Sequence, residues 1–176
     1  MFIRKDRNTK SADLAFMGIM LAINQILLYF GGMTSFNETF FLALASLLIG
    51  IVVIEKGIKN GIVFFISSAM MALIIMPNKL NALGYVFILG TYTIVKYYIE
   101  KIDNFKKENV VKALYFTVVG LIASIAANRL LFSYSIMIIF PMFVIIMTVY
   151  DYAATVLLTS YRNKFKLNRF EKNKKK

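Results

Sequence analysis

A carboxylate stands inside an otherwise apolar run, IIMTVYDYAATVLL, residues 145–158. It belongs to Asp151, with Thr148 and Thr155 three and four residues away, so all three share one face of a helix. In hydrocarbon an ionised side chain costs about 3 kcal/mol or more, so such a group is rare and normally partnered. Asp151 precedes Tyr161 by ten residues, or about 15 Å along a helix. At comparable depth the first apolar segment offers Asn24 and Gln25, the fourth offers Thr91 and Thr93, and Lys96 is the nearest base. The expected role is a satisfied polar contact between helices. Conformational coupling, partner contact and direct ligand contact are the other roles open to it.

A second set of polar groups lies in three short connections, FGGMTSFNETF, MPNKLN and NRLLFSY. They carry the charges Glu38, Lys79 and Arg129 and the amides Asn37, Asn78, Asn81 and Asn128. Tyr29, Phe36 and Tyr134 stand among them. Aromatic walls with a few polar groups are how small-molecule sites are built. Arg129 and Lys79 would engage anionic or carbonyl groups, the amides would hydrogen-bond, and the aromatics would stack on a ring. The same residues also suit turns and the membrane–water interface.

No catalytic set accompanies them. The chain has no His and no Cys, which removes imidazole and thiolate metal sites and thiol nucleophiles. There is no Walker A lysine and no zinc-protease helix motif. A lone acid deep in a span is not the pair an intramembrane aspartyl protease needs. The expectation is a protein that is not an enzyme, with no metal and no cofactor.

The elements that must position these groups are apolar helices. Hydrophobic residues make up 59% of the chain and mean hydropathy is +0.68, against roughly half apolar in soluble domains. Six apolar segments can be read, at 12–30, 40–54, 61–76, 83–98, 110–127 and 136–161. A span needs about 20 residues, so the second, third and fourth reach that length only with their flanks. Backbone in lipid must satisfy its own hydrogen bonds, which makes these segments helices. No small-residue cleavage site follows the first segment, so it reads as a span and not a removable leader. The fold class expected is all-α: a polytopic integral membrane protein, one six-helix transmembrane domain over 1–176.

Charge then suggests orientation. The net charge is +12, but the basic residues lie at the termini and between apolar blocks, a topogenic pattern and not a nucleic-acid footprint. The N-terminal arm (1–11), the second and fourth connections with their flanks, and the tail (162–176) hold nineteen of the twenty-one Lys and Arg. Lys79 and Arg129 are the other two. With six spans the nineteen fall on one side, so both termini are expected in the cytoplasm of a prokaryotic cell, in its plasma membrane.

Small residues at helical spacing let helices approach closely in lipid. The first segment carries Ser11, Ala15, Gly18 and Ala22 on one face, continuing to Gln25 and Tyr29. Shorter stripes are Ala43, Ser46, Gly50 and Gly120, Ser124, Ala127. Bundle packing is the ordinary use of such stripes; docking of a partner protein is the alternative, with the first segment the best candidate.

The pattern as a whole resembles the substrate-binding S components of energy-coupling factor (ECF) transporters. The resemblance covers most of the chain and is one of architecture more than motif. The family often carries Ala-x-x-x-Ala on its first helix. Here Ser11-x-x-x-Ala15 and Gly18-x-x-x-Ala22 keep the small size without the identity. The resemblance implies capture of a vitamin or precursor at the outer face. It also implies partnership with a transmembrane coupling protein and two cytoplasmic ATPases. Metal-ion members are a poor match, because they use an N-terminal His. The rod-shape protein MreD, a scaffold of cell-wall synthesis, is a rival of similar length and hydrophobicity.

Overall fold

The computed structural model describes residues 3–33, 37–101, 105–131 and 136–174, with side chains described for 11–33, 37–101, 106–125, 137 and 139–164. Every element among them is helical. In order they are α1 (Ile3–Met33), α2 (Glu38–Lys56), α3 (Ile58–Ile75), α4 (Lys79–Gly84), a π-helical segment (Tyr85–Gly90), α5 (Thr91–Ile99), α6 (Phe105–Leu131) and α7 (Ile136–Lys174). Six helical stretches are long and apolar enough to cross a membrane: Ser11–Met33, Glu38–Lys56, Ile58–Ile75, Lys79–Ile99, Lys106–Ile125 and Ile139–Lys164. These are the six segments read from the sequence. The flanks of the short ones do join their helices.

The surface is inverted relative to a soluble protein. Leu14, Ile19, Ile66, Ile74, Phe87, Leu114, Ile122 and Val149 are exposed, whereas Asn24, Gln25, Ser46, Ser68, Thr93, Lys96 and Ser124 are buried. Apolar side chains outside and amides inside are what a lipid solvent selects. The molecule is a multi-pass membrane protein.

The chain divides into two compact units, Met1–Tyr97 and Tyr98–Lys176. In the first, α1 packs on α2 and α3, and α2 packs on α3 and the π-helical segment. A single residue, Gly57, joins α2 to α3, with φ +84°. That is left-handed backbone, which glycine adopts without a Cβ penalty. Past this turn the two helices run so close that a Cβ on Gly61 would collide with Val53. Asn60 Nδ2 donates to Lys56 O at 2.9 Å, satisfying a carbonyl at the end of α2. At the same end Lys56 pairs with Asp13 of α1 at 2.5 Å and lies 5.2 Å from the Phe16 ring centroid.

The other end of this unit is closed where the end of α1 meets the start of α2 and the α3–α4 turn. A Cβ on Gly32 would stand 2.8 Å from Pro77 Cδ, and one on Gly31 would stand 2.9 Å from Phe41 Cβ. The end of α1 is thereby pressed against the start of α2 and against the α3–α4 turn. Pro77 forces Met76 into extended backbone (φ −68°, ψ 130°) and stops α3.

In the second unit α6 and α7 form an antiparallel hairpin. Gly120 makes room for Phe140 and Phe143, a Cβ there coming within 3.3 and 2.9 Å of them. Pro141 lies inside α7, near its start.

Candidate functional site

The first unit holds a buried network of uncharged polar groups. Asn24 and Gln25 come from α1, Ser68 from α3 and Tyr85 from the first residue of the π-helical segment. Asn24 Nδ2 donates to Ala45 O of α2 at 2.7 Å and to the Tyr85 hydroxyl at 3.1 Å. Ser68 Oγ donates to Asn24 Oδ1 at 2.6 Å and lies 2.7 Å from the Tyr85 hydroxyl. Gln25 Nε2 donates to Asn24 Oδ1 at 3.2 Å and to Ser68 O at 3.3 Å. Asn24, Ser68 and Tyr85 are fully buried and Gln25 is 7% exposed.

Local structure explains how the network assembles. Each apolar helix contributes one or two short polar side chains that the alternative, lipid, would leave unpaired. The π-helical segment adds a residue to the helical turn. Thr91 Oγ1 reaches back five residues to Val86 O at 2.8 Å, and Gly90 lets the helix lie against Phe65 of α3. π-bulges are found frequently at functional sites.

Two polar atoms here have no hydrogen-bond partner among the described residues. One is Gln25 Oε1, an acceptor, and the other is Asn81 Nδ2, a donor; both are buried. Asn81 lies one turn before Tyr85, whose backbone N–H bonds Asn81 O. Asn81 and Tyr85 therefore occupy one face of a continuous helix. The sequence singled out Asn24 and Gln25 as possible neighbours of Asp151, and Gln25 also as a continuation of the small-residue stripe. Their grouping with Ser68 and Tyr85 had no signal in the spacing, because it arises between helices.

The connections at the closed end carry several of the expected ligand contacts, and the structure gives two of these residues different work. Lys79 Nζ donates to Leu73 O at 2.9 Å, Ile74 O at 3.2 Å and Met76 O at 3.0 Å. Its ammonium covers the carbonyls at the end of α3, where a cation is favourable. Asn78 Oδ1 accepts from Leu80 N at 3.0 Å, capping α4. Asn37 precedes α2, its carbonyl accepting from Phe41 N at 3.2 Å, and Glu38 opens that helix. Tyr29 is partly exposed and meets Phe30 edge-on, ring centroids 6.4 Å apart. Phe36 and Tyr134 lie outside the described residues, and Arg129 and Asn128 lie on α6 beyond its described side chains.

In the second unit Asp151 meets a base, and it is Lys112. Lys112 Nζ lies 3.1 Å from Asp151 Oδ2 and 2.8 Å from Glu108 Oε1. Lys112 is 12% exposed, Asp151 15% and Glu108 22%. In the sequence Lys112 counts among the basic flanks of the fourth connection, within the segment 110–127; the structure sets it against Asp151 on the neighbouring helix. Thr148 and Thr155 bond the carbonyls of Val144 and Asp151, each at 2.8 Å. Their hydroxyls serve their own helix, four residues back. Asn24 and Gln25 are engaged within the first unit. Asp151 stands twelve residues from the start and thirteen from the end of the helical stretch Ile139–Lys164.

Ser11, Ala15, Gly18 and Ala22 are exposed along α1, and a Cβ on Gly18 would meet nothing within 4 Å. The buried face of α1 is the one bearing Asn24, Leu28 and Gly31. Among the described residues no group of three metal-ligating side chains occurs. No family model, curated protein or solved structure matches the chain. What fold and site define is therefore a class, a six-span helical membrane protein with a neutral polar network in one unit and an ionic one in the other.

Proposed function

We propose that the chain is the membrane-embedded substrate-binding subunit of an ECF-type transporter, capturing a small organic solute for uptake. One observation carries this reading: the hydrogen-bonding capacity left open at Gln25 Oε1 and Asn81 Nδ2, both buried in one unit. Buried polar groups are almost always paired, so two open atoms in one unit suit a bound solute. Both lie towards the end where the first and third connections meet. Basic residues are nearly absent from that end, and the positive-inside rule makes it the outer face of a plasma membrane with cytoplasmic termini. The exposed small-residue stripe of α1 suits docking of a coupling protein. Energy would come from two ATPases on that protein, since this chain has no nucleotide motif.

The same stripe also suits the second reading, a non-transporting scaffold of the MreD type. Affinity purification from membranes separates the two. Recovery of a transmembrane coupling protein with ATPases is the expected result. Recovery of cell-wall synthesis proteins instead, with no thermal shift from any of a panel of vitamins, would replace the transporter reading by the scaffold.

A further inference from the structure

We propose that the π-helical turn Tyr85–Gly90 is a conformational switch: its relaxation to α-helix turns α4 about its own axis and takes Tyr85 off Asn24 and Ser68. Such a switch belongs to the helix and not to a ligand, so it serves either reading of the function.

The helix Lys79–Ile99 carries two registers. Ala82, Tyr85, Leu89, Tyr92, Lys96 and Ile99 are all buried, and they recur in alternating steps of three and four. That is the spacing of one face of an uninterrupted α-helix. Yet Tyr85–Gly90 forms a wider turn in their midst. Two relations across five residues mark its width. Thr91 Oγ1 donates to Val86 O at 2.8 Å, and a Cβ on Gly90 would stand 3.1 Å from Tyr85 O. One residue more in a turn swings the helix before it against the helix after it by about 100°. The spacing of the buried residues therefore suits the relaxed helix, and the wide turn has to be held.

It is held from both sides. Before the turn, the Tyr85 hydroxyl accepts from Asn24 Nδ2 at 3.1 Å and lies 2.7 Å from Ser68 Oγ. After it, the Thr91 hydroxyl bonds the Val86 carbonyl, which in an α-helix takes the N–H of the fourth residue on. Gly90 lets the wide turn pass Phe65 of α3, where a Cβ would stand 2.5 Å from Cε2.

The part that moves is short. α4 has six residues and starts from the turn at Pro77. Leu80 and Leu83 on it are exposed, and a Cβ on Gly84 would meet nothing within 4 Å. In lipid, where the tails are as apolar as Leu, exchanging one apolar helix face for another costs little. The balance between the two turns is then set by the hydrogen bonds of Tyr85 and Thr91. A ligand or partner that competes for Asn24 or Ser68 would release Tyr85 and shift the population towards the turned α4.

The chain has no cysteine, so two introduced ones carry spin labels alone. Leu14→Cys on α1 and Leu83→Cys on α4 replace exposed residues. Full-length protein in nanodiscs is measured by double electron–electron resonance, and the doubly labelled parent is expected to show one dominant distance. Tyr85→Phe or Thr91→Val added to it is expected to bring in a second. Deletion of Phe87, an exposed residue of the wide turn, leaves the residue count of an α-helical turn with both flanks as they now stand. In that background Tyr85→Phe is expected to show one distance only. A single unchanged distance in both Tyr85→Phe and Thr91→Val overturns the switch. A second distance that survives the deletion overturns the π-helical turn as its origin. Both substitutions are close in shape to the parent residues, so they decide the matter even if the deletion variant does not fold.

Discussion

The two units place polar groups in apolar surroundings by opposite means. The first uses amides and hydroxyls from α1, α3 and the π-helical segment, with a backbone carbonyl of α2. The second uses two carboxylates and an ammonium from α6 and α7. A buried ion is costly unless paired, so the second set holds both carboxylates against one shared ammonium. An amide left half-bonded costs far less, so the first set can keep an acceptor open. The same medium therefore tolerates an open hydrogen-bonding atom more readily where the polar groups are neutral. The charged residue that looked most like chemistry, Asp151, is bound by its helix partner. The open acceptor belongs to a glutamine that carries no charge at all.

Lys112→Met breaks the comparison hardest. It leaves Asp151 and Glu108 without their shared cation, and the expected loss is about 3–5 kcal/mol of stability. Unfolding in detergent titrated with SDS measures it. Adding Asp151→Asn to Lys112→Met should restore part of that loss; if it does not, the ion pair is not what Lys112 contributes. Next comes Asn24→Leu, which strands donors on Gln25 and Ser68, takes the amide donor from Ala45 O and the Tyr85 hydroxyl, and should cost about 1–3 kcal/mol. Tyr85→Phe removes only one hydroxyl, and a fall of about 1 kcal/mol is expected. A double-mutant cycle of Tyr85→Phe with Ser68→Ala should show coupling, whereas independent effects would dissolve the network as a unit. The smallest change belongs to Lys79→Met, about 0.3–1 kcal/mol from the end of α3. Its solute affinity should stay within twofold of the parent by isothermal titration. A tenfold drop there would return Lys79 to the ligand.

Much of the scaffold was legible beforehand. Long apolar runs in lipid have few options, and the six spans followed from length and hydropathy alone. Gly57 was visible as a glycine between charged flanks, but not that it alone would join two helices. Of the polar residues read in the connections, Asn37 and Asn78 precede helices, Glu38, Lys79 and Asn81 lie in α2 and α4, and Asn128 and Arg129 lie on α6. Their roles were not readable, because Asn78 and Lys79 find partners in the turn geometry that Pro77 creates. The pairing of Lys112 with Asp151 was not readable, because it depends on the register between two helices.

The sequence by itself determined the solvent. Its apolar share and six runs require helices, and its 19:2 partition of basic residues argues for an even number of them. Tertiary structure decided which polar atoms meet. Hydrophobicity is summed over a segment and survives any rotation of the helix. A hydrogen bond depends on the rotation and depth of two helices at once. The register between α6 and α7 set Lys112 against Asp151, and the close packing of α1, α3 and the π-helical segment gathered Asn24, Ser68 and Tyr85 and left Gln25 Oε1 open.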